Sequence, residues 1–157
     1  IIIKDFKKTK ILPLHNFFIS YRKTKLKKGQ FIYSIKIPLL KKGIFKAYKV
    51  SKRYDDDISS VCAAFNLGLV KNKIETIKIA YGGMAATPKR AVYCERILLN
   101  SIITDKVIQK AKIALEKDFK PISDMRASSL YRIEVAKNLL EKCCKEINQK
   151  KLIGIYA

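Results

Sequence analysis

The apolar residues change their period once, near Tyr81, and this switch constrains the fold more than any other feature of the chain. Before it, apolar and polar residues alternate as on a strand: Phe31, Tyr33, Ile35 and Ile37 share one face along Gln30 to Ile37, which Pro38 closes. A second strand is expected from Ile44 to about Ser51, with Phe45, Ala47 and Lys49 on one face. Ser60 to Val70 and Ile74 to Ala80, separated by Lys71-Asn72-Lys73, read as a hairpin. Together the four segments predict an antiparallel or mixed sheet with one buried face.

Beyond Tyr81 the apolar spacing becomes three and four. Thr87-Pro88 supplies the cap and first-position proline of a helix running to about Asn100. Thr104 caps a second helix, whose stripe is Val107, Ile108, Ala111, Leu115 and Phe119 and which ends at Lys120-Pro121. A third begins near Asp124 and buries Leu130, Ile133, Ala136, Leu140, Cys143 and Ile147. Strands first and helices second define an α+β class: a small, mainly antiparallel sheet of three to four strands followed by three helices packed on it. The 157 residues suffice for one main domain, 17–157. The basic, weakly patterned segment 1–16 reads as the remnant of a linker to something upstream, and Ile1, with no signal-peptide pattern after it, as a start inside a longer product.

Composition excludes several function classes. An apolar share of 48% beside 30% charged residues is that of a folding chain, and no apolar run approaches the roughly 20 residues of a membrane span. Four cysteines without a Cys-x-x-Cys spacing, with His15 as the lone histidine, make a poor metal set and read as reduced thiols of a cytoplasmic protein. The net charge of +21 raises nucleic acid as a partner, but only six of the 34 cations are arginine, whose fork suits base and phosphate recognition better than lysine does. A solvated basic surface is the simpler reading. A stand-alone basic α+β binding module without catalysis is the alternative that this charge keeps open.

Few residues suggest chemistry by type and position alone. Gly82-Gly83 sits between a strand and a helix, yet lacks the rest of a phosphate-binding fingerprint, so close packing or a positive φ explains it more simply. Asp55-Asp56-Asp57 points in alternating directions and cannot converge on one cation. Phe17 to Thr24 interleaves aromatic and basic residues, a possible platform for a base or a flavin ring.

Four stretches taken in order say more. Phe17-Phe18-Ile19-Ser20-Tyr21-Arg22-Lys23-Thr24, Ala47-Tyr48-Lys49-Val50-Ser51-Lys52-Arg53-Tyr54-Asp55-Asp56-Asp57-Ile58, Tyr81-Gly82-Gly83-Met84-Ala85-Ala86-Thr87-Pro88-Lys89-Arg90-Ala91 and Pro121-Ile122-Ser123-Asp124-Met125-Arg126-Ala127-Ser128 together resemble the C-terminal part of the FAD-binding subunit of bacterial xanthine dehydrogenases, in the molybdenum hydroxylase family. Ser20, Lys28 and Gln30 depart from the glycine, proline and glutamate common there. The resemblance implies that purine is hydroxylated at a molybdenum cofactor on a large subunit and that electrons pass through 2Fe-2S clusters to FAD and on to NAD. It implies an upstream iron-sulfur and FAD-binding half, so that the isolated chain is expected to be inactive. It places the FAD-contacting lysine on Lys49, an apolar FAD contact on Ile32, the loop beside the flavin on Val50 to Asp57, and electrostatic tuning on Arg53 and Asp56. No residue of this chain is expected to be catalytic in itself.

Overall fold

The computed structural model describes residues 1–39, 43–53 and 57–149, in two compact units that divide between residues 41 and 42. The first unit contains β1 (Ile2–Lys4), β2 (Thr9–Ile11), a 3-10 turn at Leu14–Asn16, β3 (Phe18–Ser20), β4 (Lys23–Thr24) and β5 (Phe31–Ser34). β1 pairs antiparallel with β2 on one side and β5 on the other, while β3 and β4 form a separate hairpin turning through Arg22 at φ 57°. Its small core is Ile3, Leu12 and Phe17.

The expectation that the strand near Gln30 joins the main sheet is corrected here. β5 is shorter, pairs with β1 through Ile3 and Ile32, and leaves Phe31, Tyr33, Ile35 and Ile37 all exposed. Alternation marks a strand but names neither its partner nor its covered face.

The second unit contains β6 (Ile44–Val50), β7 (Val61–Val70), β8 (Lys73–Gly82), β9 (Lys89–Arg90), α1 (Val92–Leu98), α2 (Asp105–Asp118) and α3 (Ser129–Gln149). The strands form one antiparallel sheet in the order β6-β7-β8-β9, giving the α+β class. The β7–β8 hairpin turns on Lys71 and Asn72, both at positive φ (47° and 62°), the conformation a two-residue hairpin requires. Val61, Ala63, Phe65 and Leu67 of β7 and Ile77, Ile79 and Tyr81 of β8 point to the helices, where Ile108, Ala111, Leu115, Ala136, Leu140 and Cys143 meet them. Tyr81 donates its hydroxyl to the Ala136 carbonyl at 2.9 Å, which satisfies the one polar atom this ring carries into the core.

Two helix starts differ from expectation. Thr87-Pro88 starts no helix: Lys89 and Arg90 continue pairing with Tyr81 and Ala80, Ala91 N–H donates to the Ile79 carbonyl, and α1 follows only at Val92. No side chain at its own N-terminus caps α1. Instead the buried Asp118 carboxylate, from the far end of α2, accepts from Tyr93 and Cys94 N–H, both at 2.9 Å. α3 begins later than Asp124, whose Oδ1 instead closes a turn on Arg126 and Ala127 N–H, and Ser128 Oγ accepts from Tyr131 N–H in the helix's first turn. Leu130, expected inside, is 79% exposed. Thr104 caps α2 as expected, accepting from Val107 N–H.

Glu141 of α3 accepts from Lys112 of α2 and pairs with Lys145, both at 2.6 Å. Those ammoniums, Lys112 first, hold its carboxyl down to about 2. A depressed carboxylate stabilises the fold above its unfolded value near 4.5 and loses that contribution as pH falls towards 2. Lys112→Met is therefore expected to move the acid-unfolding midpoint, followed by far-UV circular dichroism, to higher pH. An unmoved midpoint would show that this link between α2 and α3 contributes nothing to acid resistance.

Candidate functional site

β6 is the outer strand of its sheet and bonds only to β7, so its other edge presents unpaired backbone groups among the described residues. Alternation splits its side chains. Ile44, Lys46, Tyr48 and Val50 are half-buried on the helix side, and Phe45, Ala47 and Lys49 are exposed on the opposite face. Register sets Lys49 opposite Cys62, which is opposite Gly82; the neighbouring row is Ala47, Ala64 and Ala80. The open face near Lys49 is thus flat, because the side chains across it are small.

The helix-side residues are held by a carboxylate. Glu146 of α3 is 4% exposed; its Oε2 accepts from the Tyr48 hydroxyl at 2.9 Å and pairs with Lys46 at 3.1 Å. Burial above all, then the neighbouring Cys143 and Glu146, pushes the Tyr48 hydroxyl well above its ordinary value, so it stays a donor. A groove of about 680 Å³ runs between this strand and α3, lined by Tyr48, Lys49, Val50, Val135, Leu139 and Lys145 among others.

Of the residues singled out by sequence, Lys49 is exposed and makes no ion pair among the described residues. Arg53 is engaged locally: its Nη2 lies 3.4 Å from Asp57 Oδ1, and its N–H donates to Asp57 Oδ2 at 3.1 Å. That amide is the main reason the Asp57 carboxyl sits below its ordinary range. Asp56 lies outside the described residues. Ile32, on β5 of the first unit, is 42% exposed.

Sequence reasoning missed Arg132, which is 3% exposed inside α3. The signal was present: 132, 136, 139, 140, 143 and 147 share one helical stripe, so an arginine lies on the covered face. The thiols of Cys94, Cys143 and Cys144 are buried and only Cys62 is exposed; burial pushes Cys143 and Cys144 up to about 12. Among the described residues no three His, Cys, Asp or Glu side chains gather as a metal site would require, and no helix is long and apolar enough to cross a membrane.

Comparison with known proteins agrees with this architecture. The glyceraldehyde dehydrogenase medium chain of Sulfolobus acidocaldarius is 31% identical over 147 residues, 94% of this chain and 52% of its own. The xanthine dehydrogenase of Emericella nidulans is 35% identical over 76% of this chain but only 9% of its own length, and the nicotinate hydroxylase hnxS of the same organism is 32% identical over 88% and 11%. The chain therefore spans about half of the first relative and about a tenth of the others. Among solved structures, quinoline 2-oxidoreductase from Pseudomonas putida 86 superposes with a TM-score of 0.84 over 97% of this chain and 53% of that one, at 18% identity, and so supports the fold. The model of the CO dehydrogenase flavoprotein C-terminal domain matches residues 46–147, from the strand that carries Lys49 to the last buried turn of α3. By that match, which covers more than half of its length, the chain belongs to the family of CO dehydrogenase flavoprotein C-terminal domains, the C-terminal part of FAD-binding components of molybdenum hydroxylases.

Proposed function

We propose that this chain forms one side of the FAD site of a xanthine dehydrogenase. In that reading the molybdenum cofactor of a large subunit and the 2Fe-2S clusters of an upstream half handle purine hydroxylation and electron delivery, and NAD is the final acceptor. The observation that carries it is Lys49: an exposed ammonium, without an ion pair among the described residues, on the open strand of the segment that matches the flavoprotein family. The donor set fits such a cofactor. A cation beside a flat row of small side chains suits a planar ligand that gains negative charge on reduction. Bound FAD supplies the conversion between single-electron delivery from the clusters and hydride transfer to NAD.

The chain's own part is electrostatic and steric. Lys49 stabilises negative charge on the ligand. Arg53 tempers the field of the acidic run, since its guanidinium already answers Asp57. Asp56 is proposed to oppose the cation, and Ile32, on the first unit, to serve as an apolar FAD contact. Purine is favoured as substrate class by the four sequence stretches; the relatives named above bear several different substrate names at similar identity.

In the full-length subunit assembled with its partners, Lys49→Ala is expected to weaken FAD retention about tenfold, the scale of losing one charge-assisted contact, and to lower the flavin midpoint potential. Equilibrium dialysis and a redox titration measure both. Unchanged affinity and potential would remove Lys49 from the site.

A further inference from the structure

Lys49 belongs to a row, with Cys62 and Gly82, that lies one residue from where the sheet ends. One guanidinium grips that end. Arg132 Nη1 donates to the Ser60 carbonyl, immediately before β7, and at 2.8 Å to the Gly83 carbonyl, immediately after β8. Nη2 donates to Asp124 Oδ1 at 2.6 Å. The same Asp124 oxygen accepts from Arg126 and Ala127 N–H, so the arginine also fixes the turn at 124–127.

That turn, in turn, holds the segment leaving β6. Lys52 Nζ donates to the Met125 carbonyl at 2.7 Å, Ser60 Oγ to the Arg126 carbonyl at 3.3 Å, and Ser60 N–H to the Val50 carbonyl at 2.8 Å. The described ends of the stretch between β6 and β7, residues 51–53 and 57–60, are therefore joined to α3 through one buried cation. Its Nε finds no acceptor although it is buried, so the group is not at its own best-satisfied position. An apolar side chain on this stripe would avoid that desolvation, but could not bond to three separate segments at once.

We propose that Arg132 is a positioning residue for the flavin-facing end of the sheet, holding the segment beyond β6 in the place that sets Lys49 and Arg53 against their ligand. The inference rests on the reading of Lys49 given above. It differs from that reading in its residues, since Arg132 bonds to the Ser60 and Gly83 carbonyls at the sheet end and Asp124 to the amides of its own turn.

The test uses the full-length subunit in its complex, with Arg132→Lys, which cannot serve three segments, and Lys52→Met, an exposed change that spares the buried cation. Lys49→Ala is the comparator. Hydrogen exchange in peptides covering 51–53 and 57–60 is expected to rise roughly tenfold in Arg132→Lys and by a smaller factor in Lys52→Met, with the β7–β8 turn unaffected. FAD is expected to dissociate about fivefold faster in both, with the thermal midpoint of Lys52→Met unchanged. Unaltered exchange in both variants overturns the inference and leaves the reading of Lys49 standing. Raised exchange with unchanged FAD retention, while Lys49→Ala loosens FAD, overturns the positioning role alone. If neither Lys49→Ala nor Arg132→Lys alters FAD retention, the reading falls and the inference with it. Should Arg132→Lys fail to fold, Lys52→Met decides between these outcomes.

Discussion

Gly83→Ala is expected to cost about 3 kcal/mol or more of folding stability, the sum of a left-handed backbone penalty and an overlap that cannot relax. Gly83 has φ +79°, and a Cβ there would lie 2.2 Å from the Ser60 carbonyl oxygen and 3.1 Å from Arg132 Nη1. The first obstacle is backbone. Ser60 cannot retreat, because its amide donates to Val50 and its carbonyl accepts from Arg132. Its neighbour provides the control: at Gly82 the nearest atom to an added Cβ is Cys62 Cβ at 3.6 Å, an ordinary contact. Gly82→Ala is therefore expected to stay within about 1 kcal/mol of the unmutated chain. Urea unfolding of the pair checks this, and equal costs at the two positions would show that the packing at Gly83 is not what excludes a side chain.

Asp118→Ala is the second large effect, expected at about 2–4 kcal/mol, because two amides, the buried one of Cys94 and the partly buried one of Tyr93, would lose their acceptor together. α1 has seven residues and no cap of its own, so the carboxylate does for Tyr93 and Cys94 what a local serine or aspartate does elsewhere. Its negative charge also suits the positive end of the helix. Asp118→Asn keeps one accepting oxygen and should lose about half as much. Chemical denaturation gives the totals, and amide exchange at Tyr93 and Cys94 should quicken ahead of the rest of the core. A loss below about 1 kcal/mol in Asp118→Ala would mean that water replaces the carboxylate at that helix end.

These two positions also show how far sequence could lead. The β7–β8 hairpin and the stripe of α2 were legible because each carries its own period and its own turn or cap, Lys71-Asn72 and Thr104. α1 was misplaced because its cap is Asp118, 25 residues from Tyr93, while the local cue at Thr87-Pro88 was overridden by pairing of Lys89 and Arg90 with β8. In the first unit β5 was legible from its alternation but its partner was not, since β1 and β2, with three residues each, are too short to display a period. Leu130 went wrong because the helical spacing was extended back into a turn that Asp124 closes.

The site was legible in a different way. Alternation alone put Lys49 on a face with Phe45 and Ala47, and that face is exposed. The role proposed for it rests on the resemblance of four stretches. Gly83 and Asp124, quoted there as motif residues, converge on Arg132, which lies just past the last stretch and carried no signal except its place on an apolar stripe.

The distribution of sulfur has a practical reach. Three thiols are sealed in the core, where burial keeps them protonated, and the fourth, Cys62, stands in the row of Lys49. Reagents that attack the thiols of this chain are thereby directed to one address. Within this chain, a maleimide-borne fluorophore or spin label would report from beside the lysine, because the other three thiols are covered.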